Sequence, residues 1–362
     1  MALLLIALSF GMMSLGVSRK SIANRDFVEY WAAGQQLVHG KNPYNANRIF
    51  AIERSAGKKA PRPIIMFNPP SALFLTVPLG TIGLKAGYLL WSFFVLGAWL
   101  GSVHMIWVMN GKPDNRVHFI GYVFAPAIAC FLLGQMAAFV LLGLTLFLFF
   151  HRTRPMLAGA ALLLCALKPH LFFPFWIVFF SWAITRRCYR VLAGAATSLA
   201  IACLAPLFFN PAIYRQYAAM GRSSGVKTAF IPTFSEVFRI VIAPNAFWIQ
   251  FLPAMLGCIG AFWYFQRHRA DWDWQKHGAP LILLSLLVAP YSWYFDPVIA
   301  LPSLLFGAYR VGTRALVVLL ILVAGNDLQL LLLTPAHSAW YLWPGAAWLA
   351  WYLCSMRYSR DF

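Results

Sequence analysis

Apolar residues run in long blocks along this chain, and polar residues gather in short stretches between them. The blocks at 137–150 and 192–209 contain no charged residue, and 315–333 contains one acid, Asp327. Segments of about 20 apolar residues cross a bilayer as helices. Backbone at that depth needs internal hydrogen bonds, which excludes lipid-exposed irregular chain. The pattern predicts an all-α polytopic membrane protein with about twelve spans, at 1–18, 83–109, 117–133, 135–150, 155–168, 169–185, 191–209, 246–265, 279–290, 292–309, 313–333 and 339–356. Met1–Val17 has no basic start and is expected to remain as the first span.

Between the spans the periodicity changes. Phe27, Trp31, Gly34, Leu37 and Val38 fall on one helical face, which predicts an amphipathic helix lying at the interface. The turn His39-Gly40-Lys41-Asn42-Pro43-Tyr44 ends it. The stretch 64–79, broken by Pro69, Pro70 and Pro78, reads as a short helix dipping into the membrane. Lys and Arg crowd the loops at 110–116, 151–154, 186–190, 266–278, 310–314 and 357–362, while the alternate short turns carry little beyond Lys168. By the positive-inside rule both termini are cytoplasmic, and 19–82 and 210–245 are outer loops of one membrane domain spanning 1–362.

Composition sharpens this picture. The chain is 61% hydrophobic and 11% charged, against about 25% charged in soluble domains. Its net charge of +19 comes from clusters between spans rather than one basic stripe, which argues for membrane lipids and against nucleic acid as partner. None of the six cysteines forms a CxxC pair, so no disulfide framework or zinc site is implied. There is no P-loop, no GxGxxG and no metal-spaced His/Glu cluster; the histidines look scattered, and no cofactor or metal is expected.

With only ten carboxylates, each can be weighed. Asp296 and Asp327 lie in or near spans, where acids are costly and mark functional sites by default. Asp26, with Glu29 three residues on, fits the N-cap of a capping box or a general base at the membrane surface. Lys168, in a short outer turn, fits snorkelling or a clamp for an anionic leaving group. Arg222, Lys227 and His337 are further outer-side candidates for a phosphate. Tyr291 and Tyr294, in Tyr291-Ser292-Trp293-Tyr294-Phe295-Asp296, are candidate sugar or phosphate contacts. Asp296 itself is a second polar group of the site or a partner for Lys168.

The run Asp26-Phe27-Val28-Glu29-Tyr30-Trp31-Ala32-Ala33, followed by Leu37, Gly40, Pro43 and Tyr44, resembles the opening motif of family 87 glycosyltransferases. Phe67-Asn68-Pro69-Pro70 with Pro78, Gly134-Gln135 and Lys168-Pro169 resemble later motifs of that family, although Asn68 stands where an aromatic is expected. The resemblance implies a GT-C-type bundle in a bacterial inner membrane. It also implies an active site facing the periplasm and inverting transfer of a sugar, mannose first among hexoses and pentoses, from a polyprenyl-phosphate donor to a lipid or glycan acceptor. Asp26 maps onto the family's proposed catalytic base. Glu29, Tyr30, Tyr44, Gln135 and His170, in or beside these motifs, are expected to bind substrate. The alternative is a transporter or flippase of lipid-linked saccharides. That reading would favour internal repeats and polar, broken helices meeting at the midplane, whereas the polar groups here concentrate toward the outer surface.

Overall fold

The structure, a computed structural model, describes residues 16–223, 230–332 and 334–358. Of the expected first span, only 16–18 fall among them. The described residues form helices joined by turns, with no strand.

The first outer segment folds into α1 (Phe27–Val38) and α2 (Ala46–Ala56). Asn45 caps α2 through its side chain, and left-handed Gly57 ends it. α1 is buried on nearly every side, including Glu29 and Gln36, whereas α2 exposes most of its surface. The apolar stripe predicted one buried face of α1. The polar face is buried too, because protein covers it. On the apolar side, the helix docks against the stretch after Pro69, where a 3-10 helix (Pro70–Leu75) leads into a single turn (Val77–Gly80) that meets α1 at Gly34. A Cβ on Gly34 would stand 2.2 Å from the Thr76 carbonyl oxygen, so only glycine permits this docking.

Among the described residues, four helices are long and apolar enough to cross a membrane. The first is α3 (Leu84–Met109), 26 residues and so about 39 Å long. After it come α4 (Ala125–Leu133), α5 (Ala137–Phe150), α6 (Pro155–Cys165) and α7 (Phe173–Thr185), all short. The second long helix is α8 (Tyr189–Phe209). Next come α9 (Ile213–Ser223) and α10 (Phe234–Ile242) in the second outer segment. The third long helix is α11 (Leu252–His268), extended by a 3-10 turn from Phe247. α12 (Gly278–Leu287) and α13 (Leu301–Ala308) are short. The fourth is α14 (Thr313–Leu331), and α15 (Trp343–Tyr358) follows.

The expected span at 117–133 is broken at Phe124, before Pro126, which cannot continue the hydrogen-bond ladder. Asp327 of α14 accepts the orphaned Ala125 N–H at 2.9 Å, so this acid caps another helix. α6 and α8 pack through small residues: a Cβ on Gly159 would lie 1.9 Å from the Val191 carbonyl oxygen, and one on Gly194 would lie 2.0 Å from that of Met156. Phe93, Phe180, Ile201, Phe208, Ile259, Ile321 and Leu331 project outward from the long helices and α7. That apolar exterior fits lipid as surrounding solvent.

Candidate active site

Asp26 stands at the start of α1, yet its side chain makes no capping hydrogen bond to that helix. Instead it accepts a 2.6 Å hydrogen bond from Gln135 Nε2. Gln135 Oε1 in turn accepts from the Tyr30 hydroxyl at 3.0 Å. Local backbone explains how residues over a hundred positions apart meet. Gly134 ends α4 with φ +75°, and a Cβ there would come 2.8 Å from Cβ of Phe27. Only glycine lets this turn lie against the first turn of α1. Trp91 Nε1 fixes it from α3 by donating to the Gly134 carbonyl at 2.7 Å.

Lys168 sits in the turn after α6, where Pro169 opens a 3-10 helix leading into α7. It is buried and bonded to Asp296 Oδ1 at 2.6 Å. Asp296 Oδ2 accepts the Trp293 backbone N–H at 2.8 Å, which holds the carboxylate still. Asn68 donates to the Leu167 carbonyl at 2.9 Å. The side chain that departs from the expected aromatic thus braces the lysine turn.

These strands of chain enclose one cavity of about 580 Å³. Asp26, Glu29, Tyr30, Gln135, Lys168, His170, Tyr291, Tyr294 and His337 all line it. Asp296 lies behind Lys168 and is fully buried. Tyr44 does not line the cavity; its ring lies 5.3 Å from that of Tyr217, which does. Arg222 is exposed near the end of α9 and is not brought to the cavity. Lys227 lies outside the described residues.

Asn68, Tyr217 and Trp293 also line the wall, and sequence reasoning had not assigned them to the site. Tyr217 donates to the Phe67 carbonyl at 3.2 Å. Trp293 donates to the Tyr291 hydroxyl at 2.6 Å and packs on His337 at 5.4 Å between ring centres. The wall therefore offers apolar ring faces beside phenol hydroxyl groups that can hydrogen-bond.

The electrostatics divide the cavity. Burial pushes the Asp26 carboxyl above its ordinary range, against the opposing pull of the Gln135 hydrogen bond and the charges of Lys168 and Lys58. Burial, and then the neighbouring Asp26 charge, pushes Glu29 well above its range. A carboxylate less comfortable as an anion is a better proton acceptor. The cation on the facing turn is buried beside an aromatic ring, 4.7 Å above Phe295.

The family model for glycosyltransferase family 87 matches residues 67–290, more than half of the chain. The chain belongs to that family. No curated protein and no solved structure gives a match. In this glycosyltransferase the matched stretch contains Gln135, Lys168, His170 and Tyr217. Asp26 and Glu29 precede it; Tyr291, Tyr294, Asp296 and His337 follow it.

Away from the cavity, the structure gathers side chains that looked scattered in sequence. Ligand-type atoms of His268, Asp271 and His277 all lie within 4.8 Å of one another.

Proposed function

We propose that the enzyme transfers a hexose or pentose, mannose first, from a polyprenyl-phosphate sugar to a lipid or polysaccharide acceptor at the outer face of a bacterial inner membrane. The observation that carries this reading is one cavity lined jointly by the Asp26 carboxylate, held by Gln135, and the buried Lys168. Asp26 takes the proton of an acceptor hydroxyl. That oxygen attacks the anomeric carbon from the face opposite the phosphate and forms the new glycosidic bond. The bond from the anomeric carbon to the phosphate oxygen breaks, and the electron pair leaves with polyprenyl phosphate. One displacement inverts the configuration.

Lys168 stabilises the charge that grows on the leaving phosphate. Asp296 orients Lys168, while Gln135 and Tyr30 orient Asp26. His170, Tyr291, Tyr294 and His337 contact donor or acceptor, with Glu29 as a second carboxyl beside the base. Arg222 and Lys227 are assigned no step. Both termini are cytoplasmic in this reading, which follows from the basic loops at 110–116, 151–154, 186–190 and 266–278.

The testing experiment incubates reconstituted protein with a panel of radiolabelled polyprenyl-phosphate sugars and a total lipid extract. Label should move from one donor into a new lipid or glycan with the opposite anomeric configuration. Transfer from a nucleotide sugar alone, or retained configuration, contradicts the proposal.

A further inference from the structure

The turn between α11 and α12 brings three potential metal ligands together from a short stretch of chain. His268 is the last residue of α11, Asp271 lies in the turn, and His277 precedes the first residue of α12. His277 Nε2 is 3.7 Å from Asp271 Oδ2, and His268 Nδ1 is 4.0 Å from Asp271 Oδ1. The two imidazole rings are 4.7 Å apart between centres.

His277 is the buried member of the three. Its side chain is 3% exposed, and Nε2 has no hydrogen-bond partner. A separation of 3.7 Å from Asp271 is too long for a hydrogen bond. The other ring nitrogen, Nδ1, is 3.0 Å from the Tyr264 hydroxyl. A neutral ring that donates from Nδ1 to Tyr264 presents its Nε2 lone pair toward Asp271. Metal-bound histidines are held in this way, with the remote nitrogen fixed by a hydrogen bond. Trp272 stacks on the same ring at 5.2 Å and 22°, which fixes its plane.

We propose that His268, Asp271 and His277 bind one divalent transition-metal ion of the zinc type, with solvent completing the coordination. Two imidazoles and a carboxylate suit that ion, which they would hold at about 2.0–2.2 Å. Ligand atoms at such distances stand about 3.4 Å apart, so the present separations must contract by less than about 1.5 Å. Asp271, with a side chain 63% exposed, lies on a surface turn that can make this movement. Its charge also offsets Arg269 and Lys276 nearby in the chain; Arg267 is occupied over the Trp263 ring at 4.1 Å. The ion staples the end of α11 to the start of α12. None of its ligands lines the cavity, so the proposal stands independently of the sugar-transfer reading.

The test uses full-length detergent-purified protein carrying no polyhistidine tag. The protein is stripped with chelator, loaded with Zn2+, desalted and analysed for zinc per chain by plasma mass spectrometry, with a thermal scan alongside. One zinc per chain is expected, with a melting temperature that rises on loading. Asp271→Asn, at an exposed position where the fold should survive, and His268→Ala should each weaken zinc binding at least about tenfold. His104→Ala, on α3, should bind like wild type. His277→Ala should also lose zinc; because that residue is buried, Asp271→Asn is the deciding variant. Zinc absent from the wild type, or retained equally by Asp271→Asn, overturns the proposal.

Discussion

Two buried lysine–carboxylate pairs in this protein have the same chemistry and different surroundings. Lys58 and Glu53 meet at 3.1 Å with both side chains fully enclosed. Glu53 also accepts the Ile64 N–H at 3.1 and 3.3 Å through its two oxygens, tying α2 to the chain that forms one cavity wall. Lys168 and Asp296 meet at 2.6 Å, but there only the acid is fully enclosed and the lysine faces the cavity. The first pair is a knot. The second keeps one member at the edge of open space. Burial of an ion pair therefore says little about function until one asks which partner can still be reached.

Substitutions can break or sharpen that contrast. The largest effect belongs to the residue facing Lys168's charge across the site. Asp26→Ala should lower transfer by about 10²–10⁴-fold, the range for losing a general base, while insertion and donor binding persist. Transfer at the wild-type rate would remove Asp26 from the mechanism. Lys168→Ala should lower donor kcat/KM by about 10²-fold, the scale for losing one charge-stabilising donor. Unchanged kinetics would make this pair a second knot.

Glu53→Ala leaves Lys58 buried without its partner, which costs about 3–5 kcal/mol of stability. Thermal unfolding should show this loss while the folded fraction keeps its kcat. A collapse of kcat with stability intact would erase the distinction between the pairs.

The smallest effect is a shift in pH profile. Because burial raises the Asp26 pKa, transfer should fail on the acid side at a pH above the ordinary carboxylate range. Gln135→Leu removes a hydrogen bond that favours the ionised form, so this limb should move to still higher pH. Movement to lower pH would mean that Gln135 does not act on the base. Stability changes with pH in the opposite sense to transfer. Asp26, Glu29 and Glu53 all have raised pKa values, so each binds its proton more tightly in the folded state. Their contribution is full below about pH 4 and declines as pH rises through the folded values.

Much of the site was legible because its parts are local. The acid opening a helix, the Gly134-Gln135 turn, the Lys168-Pro169 turn and the aromatic run before Asp296 each carry a short-range signal. All reach the cavity or the residue behind Lys168. What could not be read is how distant segments meet. Nothing near Asn68 says that its amide reaches Leu167, and nothing near Tyr217 says that α9 leans on the Phe67 segment. The stripe on α1 identified an apolar face but not the burial of Glu29 and Gln36 opposite, since a period describes one helix and not what covers it. Asp327 looked functional because acids are rare in spans; its partner is the backbone N–H freed by a proline break on another helix. His268 and His277 seemed unrelated because their turn, rather than their spacing, brings them together.

The most direct test of a base and a cation sharing an outward-facing cavity is chemical labelling at position 26. Asp26→Cys, in a chain whose native cysteines are replaced, is treated in sealed right-side-out vesicles with a membrane-impermeant maleimide. Labelling from the outside, slowed by polyprenyl-phosphate sugar and restored when Lys168→Ala weakens donor binding, is the expected result. Labelling only after the vesicles are opened would put residue 26 on the cytoplasmic side and contradict the account.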